Sequence, residues 1–240
     1  MVKITNKEAY EAAFADHLNH MSMEDAAKHH VGGIANYYMV GAIEARLLEN
    51  LGLHDGSSLV DLGCGSGRLA GAINGKIDYL GTDVVEKLIA YCRKTYPGYR
   101  FEVAADFKIP AEDRTADFVV AFSLFTHLLH EESMLYMREA FRVLKPGGKL
   151  VLSFLEYLVP GHRKLFLQSV TNVNTDRPLI VFMDRRGLRF FGRECGFSKF
   201  TFHAGNERIV DFGPGIRLPD DTTIEGTRSF GQSVCVMLKA

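Results

Sequence analysis

Residues 59–70, LVDLGCGSGRLA, place three glycines within five positions directly after an apolar run. The run Leu59–Leu62 predicts a buried strand, and Gly63, Gly65 and Gly67 predict a tight turn that enters a helix. A turn of this kind exposes backbone N–H groups and lets a ligand approach the main chain closely. The stretch therefore predicts a strand–turn–helix unit with a ligand at its turn.

The rest of the chain indicates the sheet that contains this unit. Seven runs are candidate strands: SLVDL, YLGTD, YRFEVA, DFVVAFS, KLVLSF, FSKFTF and SVCVMLKA. Several are too continuously apolar for a sheet with one face in water. Two helical stretches, VVEKLIAYCRKTY and EESMLYMREAFRVL, lie between them. The alternation predicts a doubly wound α/β fold with a parallel sheet covered on both sides, whose ligands bind at the carboxyl ends of the strands.

The segments around this core complete the predicted organisation. Residues 1–55 read as a helical cap, in which Tyr10, Ala13, Phe14 and His17 or Leu18 form one stripe. Residues 56–155 form the core, with a stripe of Met134, Met137, Phe141 and Leu144 on its last helix, which KPGG ends. Residues 156–240 contribute the remaining strands and two irregular insertions, at 157–184 and 203–232, that cover the substrate. One domain, 1–240, is expected.

Composition limits the partners. The 240-residue chain is 47% hydrophobic and has a formal net charge of −1, so no overall charge attracts nucleic acid or an anionic membrane. No apolar segment resembles a signal peptide or a membrane span. The four cysteines are scattered, without a C-x-x-C pair, which predicts free thiols and neither a zinc site nor a disulfide framework. We expect a cytoplasmic protein with a small-molecule partner, and neither nucleic acid nor membrane.

The glycine turn and its acids indicate the kind of ligand. A dinucleotide fingerprint would need glycine where Arg68 stands, and no Gly-Lys-Ser/Thr follows as in a P-loop. Asp61 would repel a pyrophosphate but attract a cation. Asp83 lies at the end of the next strand, where an acid can accept hydrogen bonds from ribose hydroxyls, and Asp106 follows the third strand. The pattern predicts a nucleoside that carries positive charge.

Residues 55–155 resemble the class I S-adenosylmethionine-dependent methyltransferases. The resemblance lies in four stretches and their spacing: LVDLGCGSGRLA, YLGTDVVEKLIAYCRK, AADF and DFVVAFSLFTHLLHEESMLYMREAFRVLKPGGKLVLSF. The resemblance implies a sheet order of 3-2-1-4-5-7-6 with an antiparallel seventh strand. It also implies S-adenosylmethionine as cofactor and a cofactor site that comprises Asp61, Gly63, Cys64, Gly65, Gly67, Asp83, Val84, Asp106, Phe107, Phe122 and Ser123. Within that set Asp83 would hold the ribose, Asp106 and Phe107 the adenine, and Phe122 and Ser123 would border the sulfonium.

The same resemblance guides the prediction for the acceptor. No prolyl motif such as N-P-P-Y follows the fourth strand, which disfavours a nucleic-acid base and favours a small molecule whose O, N or C nucleophile takes the methyl group. His127 is a candidate general base, with a packed structural histidine as the alternative. His29, Tyr37 and Tyr38 are candidate substrate contacts, with core packing or exposure as their alternative.

Three further alternatives belong to these motifs. His127 and His130 do not form a zinc pattern, so no metal is expected. Arg185, Arg186, Arg189 and Arg193 read as a solvated basic face. For the whole chain, a non-catalytic S-adenosylmethionine-binding protein and an NAD-linked oxidoreductase remain the alternatives to a methyltransferase.

Overall fold

The computed structural model describes residues 4–5, 7–171 and 179–240. The helices are α1 Lys7–His20, α2 Met23–His30, α3 Tyr37–Asn50, α4 Arg68–Ala72, α5 Glu86–Thr95, α6 His130–Val143, α7 Pro160–Val170 and α8 Arg185–Glu194. The strands are β1 Ser58–Leu62, β2 Asp78–Asp83, β3 Arg100–Val103, β4 Ala116–Ala121, β5 Leu144–Phe154, β6 Lys199–His203, β7 Arg208–Asp211, β8 Ile216–Arg217, β9 Thr223–Ile224, β10 Thr227–Ser229 and β11 Ser233–Leu238. Within these ranges no helix is long and apolar enough to cross a membrane.

Seven strands form one sheet in the order β3-β2-β1-β4-β5-β11-β6. Strands β1 to β5 pair in parallel, and β11 pairs antiparallel to both β5 and β6. Because β11 is the seventh strand of this sheet in chain order, the predicted order and the antiparallel last strand are confirmed. The carboxyl ends of β1, β2 and β4 thus lie side by side at one edge.

The sheet is buried on both faces, as its apolar strands predict. Leu59 belongs to the cluster that includes Ile43 and Leu47 of α3, whereas Val60 belongs to the cluster that includes Met137 of α6 and Leu188 of α8. Since successive strand residues point to opposite faces, this alternation places helices on both sides of the sheet. The glycine turn is therefore attached to a rigid, two-sided core.

The first two helices pack outside this sandwich. Phe14 of α1 and Ala26 and Ala27 of α2 form a third cluster with Leu88 of α5 and with Val85, which precedes that helix. The sequence predicted a helical cap over residues 1–55, and the structure divides it into α1, α2 and α3. Ser22 caps α2 by accepting a hydrogen bond from the backbone of Asp25. We call α1 and α2 the cap helices.

Three other expectations were wrong in detail. The predicted stripe of α6 does pack on the core through Met137, which is buried, and Met134 and Phe141, which are partly buried, but Leu144 begins β5 and does not continue the helix. Residues 160–170 of the first irregular stretch form α7, and residues 172–178 of it lie outside the described ranges. The second stretch contains β7 to β10, and its apolar residues Val210, Phe212, Leu218 and Ile224 join the core beside α3.

Candidate active site

A cavity of about 500 Å³ lies between the carboxyl ends of the strands and the cap helices. This volume suits a ligand of cofactor or drug size. Nine of the residues that the sequence predicted for the cofactor or catalytic site line this cavity: Asp61, Gly63, Cys64, Gly65, Asp83, Val84, Phe122, Ser123 and His127. The structure therefore brings together residues that are far apart in the chain.

The glycine turn needs its glycines for two separate reasons. Gly65 has a φ of +55°, and a side-chain carbon there would lie 2.4 Å from Cγ1 of Val31, just after the cap helices. Gly67 has a φ of +78°, and a side-chain carbon there would lie 2.6 Å from the ring of Tyr96. Gly65 thus permits residues 31–33, which follow the cap helices and which we call the cap segment, to close over the turn. Gly67 permits the turn to pack on α5 and does not line the cavity.

Asp61 is a buried acid at the end of β1 and on the cavity wall. Its Oδ2 accepts a 2.6 Å hydrogen bond from the hydroxyl of Tyr79. Burial raises the pKa of Asp61 to about 7, although the Tyr79 hydrogen bond acts in the opposite direction and Glu44 adds to the rise. A positively charged neighbour stabilises the ionised form of such a buried carboxyl, and a positively charged ligand is what the sequence predicted for Asp61.

Asp83 joins two neighbouring segments at the end of β2. Its Oδ2 accepts a 2.9 Å hydrogen bond from the backbone of Gly65, and its Oδ1 accepts one of 2.9 Å from the backbone of Val85. Burial raises the pKa of Asp83, and these backbone hydrogen bonds lower it. Because a carboxylate has about four lone-pair sites, both oxygens can accept further hydrogen bonds from a ligand's hydroxyls.

A buried ion pair that the sequence did not reveal also borders the cavity. Arg68 donates from Nη2 and Nε to the carboxylate of Glu44, which is buried on α3, and from Nη1 to the carbonyl of Val31 at 2.5 Å. Arg68 was singled out only as a departure from glycine. Its pairing needs Glu44, which lies 24 residues earlier, so sequence spacing alone carried no signal. Through its hydrogen bond to Val31, Arg68 also holds the cap segment beside the glycine turn.

The end of β4 is held in an uncommon backbone conformation. Ser123 has a φ of +60°, and its backbone N–H donates to Oγ of Ser153 at 2.7 Å. Gln232 donates from Nε2 to Oγ of Ser123 at 3.0 Å and accepts at Oε1 from Ser153 at 2.7 Å. Left-handed backbone at a residue other than glycine is uncommon and concentrates at functional sites. Gln232, which also lines the cavity, was not predicted, because it lies at the end of the irregular insertion 203–232, in which no motif marked an individual residue.

His127 lies on the cavity wall, and a backbone carbonyl fixes the tautomer of its ring. Its Nδ1 is 2.6 Å from the carbonyl oxygen of Leu179. Since a carbonyl only accepts, Nδ1 donates, and the neutral ring carries its lone pair on Nε2. Burial lowers the pKa of His127, and the Leu179 contact partly opposes this change. The ring is therefore in its base form at neutral pH.

The roof of the cavity comes from the cap helices. Tyr10, Ala13 and His17 of α1 and His30 of α2 line it. The Tyr10 ring is edge-on to His30 at 5.7 Å and to His127 at 5.5 Å between centroids. The helical stripe of α1 placed Tyr10, Ala13 and His17 on one face together with Phe14, and the sequence assigned this face no role. Only the fold shows that it covers the cavity while Phe14 packs on α5.

Six predicted residues do not line the cavity. Asp106 is half-buried and accepts from the backbone of Lys108 at 2.9 Å, while Phe107 is buried and packs edge-on against Tyr136, which does line the cavity. His29 is exposed, although His30 beside it lines the roof. The others are Gly67, Tyr37, whose hydroxyl donates to the carbonyl of Ser66 at 3.3 Å, and Tyr38, whose hydroxyl accepts from Lys28 at 2.9 Å. Their proposed roles stay predictions.

Residues outside the cavity account for the remaining motifs. Arg185 makes a two-pronged ion pair with buried Glu156, at 2.9 and 2.8 Å, so it is not part of a purely solvated face. All four cysteines are buried and free of disulfides, as predicted. Among the described residues no group of three or more His, Cys, Asp or Glu side chains could hold a metal ion.

Comparison with known proteins identifies the class. Residues 60–152 match a sequence family described as a methyltransferase domain. Together with the sheet order, this match shows that the chain contains a class I S-adenosylmethionine-dependent methyltransferase domain. The magnesium protoporphyrin IX methyltransferase of Synechocystis PCC 6803, solved with bound S-adenosylhomocysteine, has the same fold. It superposes with a TM-score of 0.60 at 14% identity, covering 98% of each chain.

Curated relatives have several different names. The demethylmenaquinone methyltransferase of Chlorobaculum tepidum is 31% identical over 59% of this chain and 58% of its own length. A tRNA (carboxymethyluridine(34)-5-O)-methyltransferase of Arabidopsis thaliana is 30% identical over 45% of this chain and 26% of its own. The chain spans only 37–42% of the length of the first three curated relatives that it matches. The sequence prediction that nucleic acid is not a partner is therefore not confirmed.

The residues of the cavity fit S-adenosylmethionine, the cofactor of this class. The turn at Gly63 and Gly65 presents bare backbone to the cavity, and a buried carboxyl with a raised pKa, Asp61, stands beside it. The first feature admits a close ligand, and the second is stabilised by a ligand's positive charge. Asp83 at the neighbouring strand end has lone pairs for hydroxyl groups.

Proposed function

We propose that this protein transfers the methyl group of S-adenosylmethionine to an O, N or C nucleophile of a small molecule. The observation that supports this most strongly is that one cavity has Asp61, Asp83 and the glycine turn on its floor and the cap helices as its roof. Donor and acceptor would share one space of about 500 Å³. Such a space fits a donor together with a compact acceptor.

When bound, S-adenosylmethionine would supply a methyl group on a sulfonium: the acceptor's nucleophile forms a bond to the methyl carbon in line with the carbon–sulfur bond, which breaks to leave S-adenosylhomocysteine with an uncharged sulfur. The chain's own contribution is to align the two and to exclude water. Asp61 and Asp83 hold the charged and hydroxyl-bearing parts at the sheet edge, and Ser123 and Gln232 form a fixed wall. Orientation of this kind can contribute about 7–11 kcal/mol to lowering a barrier.

His127 is our candidate for accepting a proton from a hydroxyl or amine acceptor. Its Nδ1 donates to the carbonyl of Leu179, which fixes the neutral tautomer that carries its lone pair on Nε2, and this lone pair would take the proton. Burial keeps the ring neutral, as a base must be before the reaction. With a carbon nucleophile that is already anionic, no base would be required.

The lining of the cavity favours a small acceptor over a polynucleotide. Among the described residues that line it, only Lys7 and Arg68 are Lys or Arg, and Arg68 is paired with Glu44. Nucleic-acid binding ordinarily uses several cations that neutralise phosphates. Because relatives include tRNA methyltransferases, transfer to tRNA is the alternative that an experiment must address.

The test has two stages. Calorimetry first measures binding of S-adenosylmethionine, of S-adenosylhomocysteine and of NADH. We expect S-adenosylmethionine and S-adenosylhomocysteine to bind and NADH not to bind. Formation of S-adenosylhomocysteine is then measured with a metabolite panel and, separately, with bulk tRNA. Turnover with a metabolite supports the proposal, and turnover with tRNA alone refutes the small-molecule part. Binding without any turnover would favour a non-catalytic S-adenosylmethionine-binding protein.

A further inference from the structure

We propose that His17 and His30 form the acceptor-binding half of the cavity and select a ring-bearing hydroxyl compound without positive charge, such as a phenol. This inference rests on the proposed function, since it assigns the acceptor of the same site. It is carried by two buried imidazole nitrogens that have no partner, by the distribution of charge around the cavity, and by the rings that form the roof.

The unpartnered atoms are Nδ1 of His17 and Nε2 of His30. Both are buried, and neither has a hydrogen-bond partner among the described residues. Buried polar atoms in folded proteins are almost always hydrogen-bonded, because an unpaired one has lost its water without a replacement. Two such atoms on adjoining rings, 5.5 Å apart between centroids, are unusual. A bound hydroxyl, which both donates and accepts, can complete either nitrogen.

The charges around the cavity disfavour a cationic acceptor. The acids among its described lining residues are Glu44, Asp61 and Asp83, and none belongs to the cap helices. Burial, together with smaller contributions from the neighbouring His17, His29 and His127 rings, lowers the pKa of His30 to about 4. A site that keeps its own imidazoles neutral also destabilises a protonated amine. A neutral hydroxyl carries no such penalty.

The surroundings of the two histidines suit an aromatic ring. Tyr10 is edge-on to His30, and Phe14 is also edge-on to it at 5.2 Å between centroids. Leu124 and Leu128 add apolar wall beside His127. Edges and apolar side chains favour a flat apolar ligand, so the hydroxyl would be its polar anchor.

The experiment measures acceptor binding in the presence of saturating S-adenosylhomocysteine. The probes are 2-naphthol, its methyl ether and naphthalen-2-ylmethanamine, which share a ring system and differ in the polar group. We expect 2-naphthol to bind at least tenfold tighter than either of the others. His30→Leu and His17→Leu should each weaken 2-naphthol binding about tenfold, leave S-adenosylhomocysteine affinity unchanged and abolish the preference over the methyl ether.

Matched variants separate hydrogen bonding from packing. His30→Gln and His17→Asn place an amide near the unpartnered nitrogens and should recover much of the 2-naphthol affinity. His20→Leu, on the exposed end of α1, is the control and should change nothing. The unliganded Leu variants at 17 and 30 should melt no lower than the wild type, because they remove an unpaired polar atom.

The outcomes distinguish the two proposals. If S-adenosylhomocysteine does not bind, the proposed function fails, and this inference fails with it. If it binds but the amine or the methyl ether equals 2-naphthol, or if the Leu variants bind 2-naphthol as the wild type does, the inference alone is overturned.

Discussion

Replacing Asp61 by asparagine should remove a pH dependence that the wild-type site has. Burial raises the pKa of Asp61 to about 7, so in the free protein the carboxyl is largely protonated at pH 6. If the ionised form is the one that binds a positively charged ligand, binding must first expel that proton. The apparent dissociation constant then scales as one plus the ratio of protonated to ionised Asp61, which predicts about eightfold tighter binding at about pH 7.5 than at about pH 6.

Calorimetry with S-adenosylmethionine, whose sulfonium carries the positive charge, provides the assay. At about pH 6.5 the binding enthalpy should depend on the ionisation enthalpy of the buffer, because a proton leaves Asp61 on binding. Asp61→Asn should bind about ten- to a hundredfold more weakly at pH 7.5, as loss of a charged hydrogen-bond partner predicts. Its affinity should change far less with pH, since the amide does not titrate in this range.

Protein stability gives an independent reading of the same group. An unfolded aspartate ionises near pH 4, whereas folded Asp61 holds its proton to about pH 7. The folded state therefore binds the extra proton between these values, and its stability falls as the pH rises through that window. Relative to Asp61→Asn, the wild type should lose up to about 4 kcal/mol of unfolding free energy between about pH 4 and pH 8. Affinity that is constant with pH, or equally pH-dependent in both proteins, would refute the assignment.

Three further changes test the floor of the cavity and the candidate base. Asp83→Asn should weaken S-adenosylmethionine binding by about 1.5–3 kcal/mol, because it removes a charged acceptor, while Asp78→Asn at the exposed opposite end of β2 should not alter the calorimetric affinity. Gly65→Ala should lower the unfolding free energy in urea titrations by about 2–4 kcal/mol, because the new methyl group contacts the cap segment and the residue has a positive φ. Gly98→Ala, which has open space around it, is the control, and its unfolding free energy should stay within about 0.5 kcal/mol of the wild-type value. His127→Asn keeps a donor in place of Nδ1 but lacks Nε2, so with a hydroxyl acceptor kcat should fall about 10²- to 10⁴-fold at unchanged S-adenosylhomocysteine affinity; an unchanged kcat would show that Nε2 is not the base.

The architecture could be predicted from the sequence because its signals are local. The apolar runs of β1 to β5 and β11, the glycines at 63, 65 and 67 and the acids at strand ends are each visible within a few residues. Parallel strands place their carboxyl ends at one edge, so Asp61 and Asp83 were expected to meet there, and both line the cavity. In these cases a short-range pattern and the final packing agree.

Only the tertiary structure shows which side chains close the cavity. His30 rather than His29 lines the roof, because the rotation of α2 on α5 decides which of two adjacent residues faces inward. Likewise, the partner of Arg68 is Glu44 on α3, and Gln232 reaches Ser123 from a segment more than a hundred residues later. Such contacts depend on long-range packing, which leaves no pattern in the neighbouring sequence. The sequence by itself thus determined the sheet and its cofactor edge, and the fold decided the acceptor half.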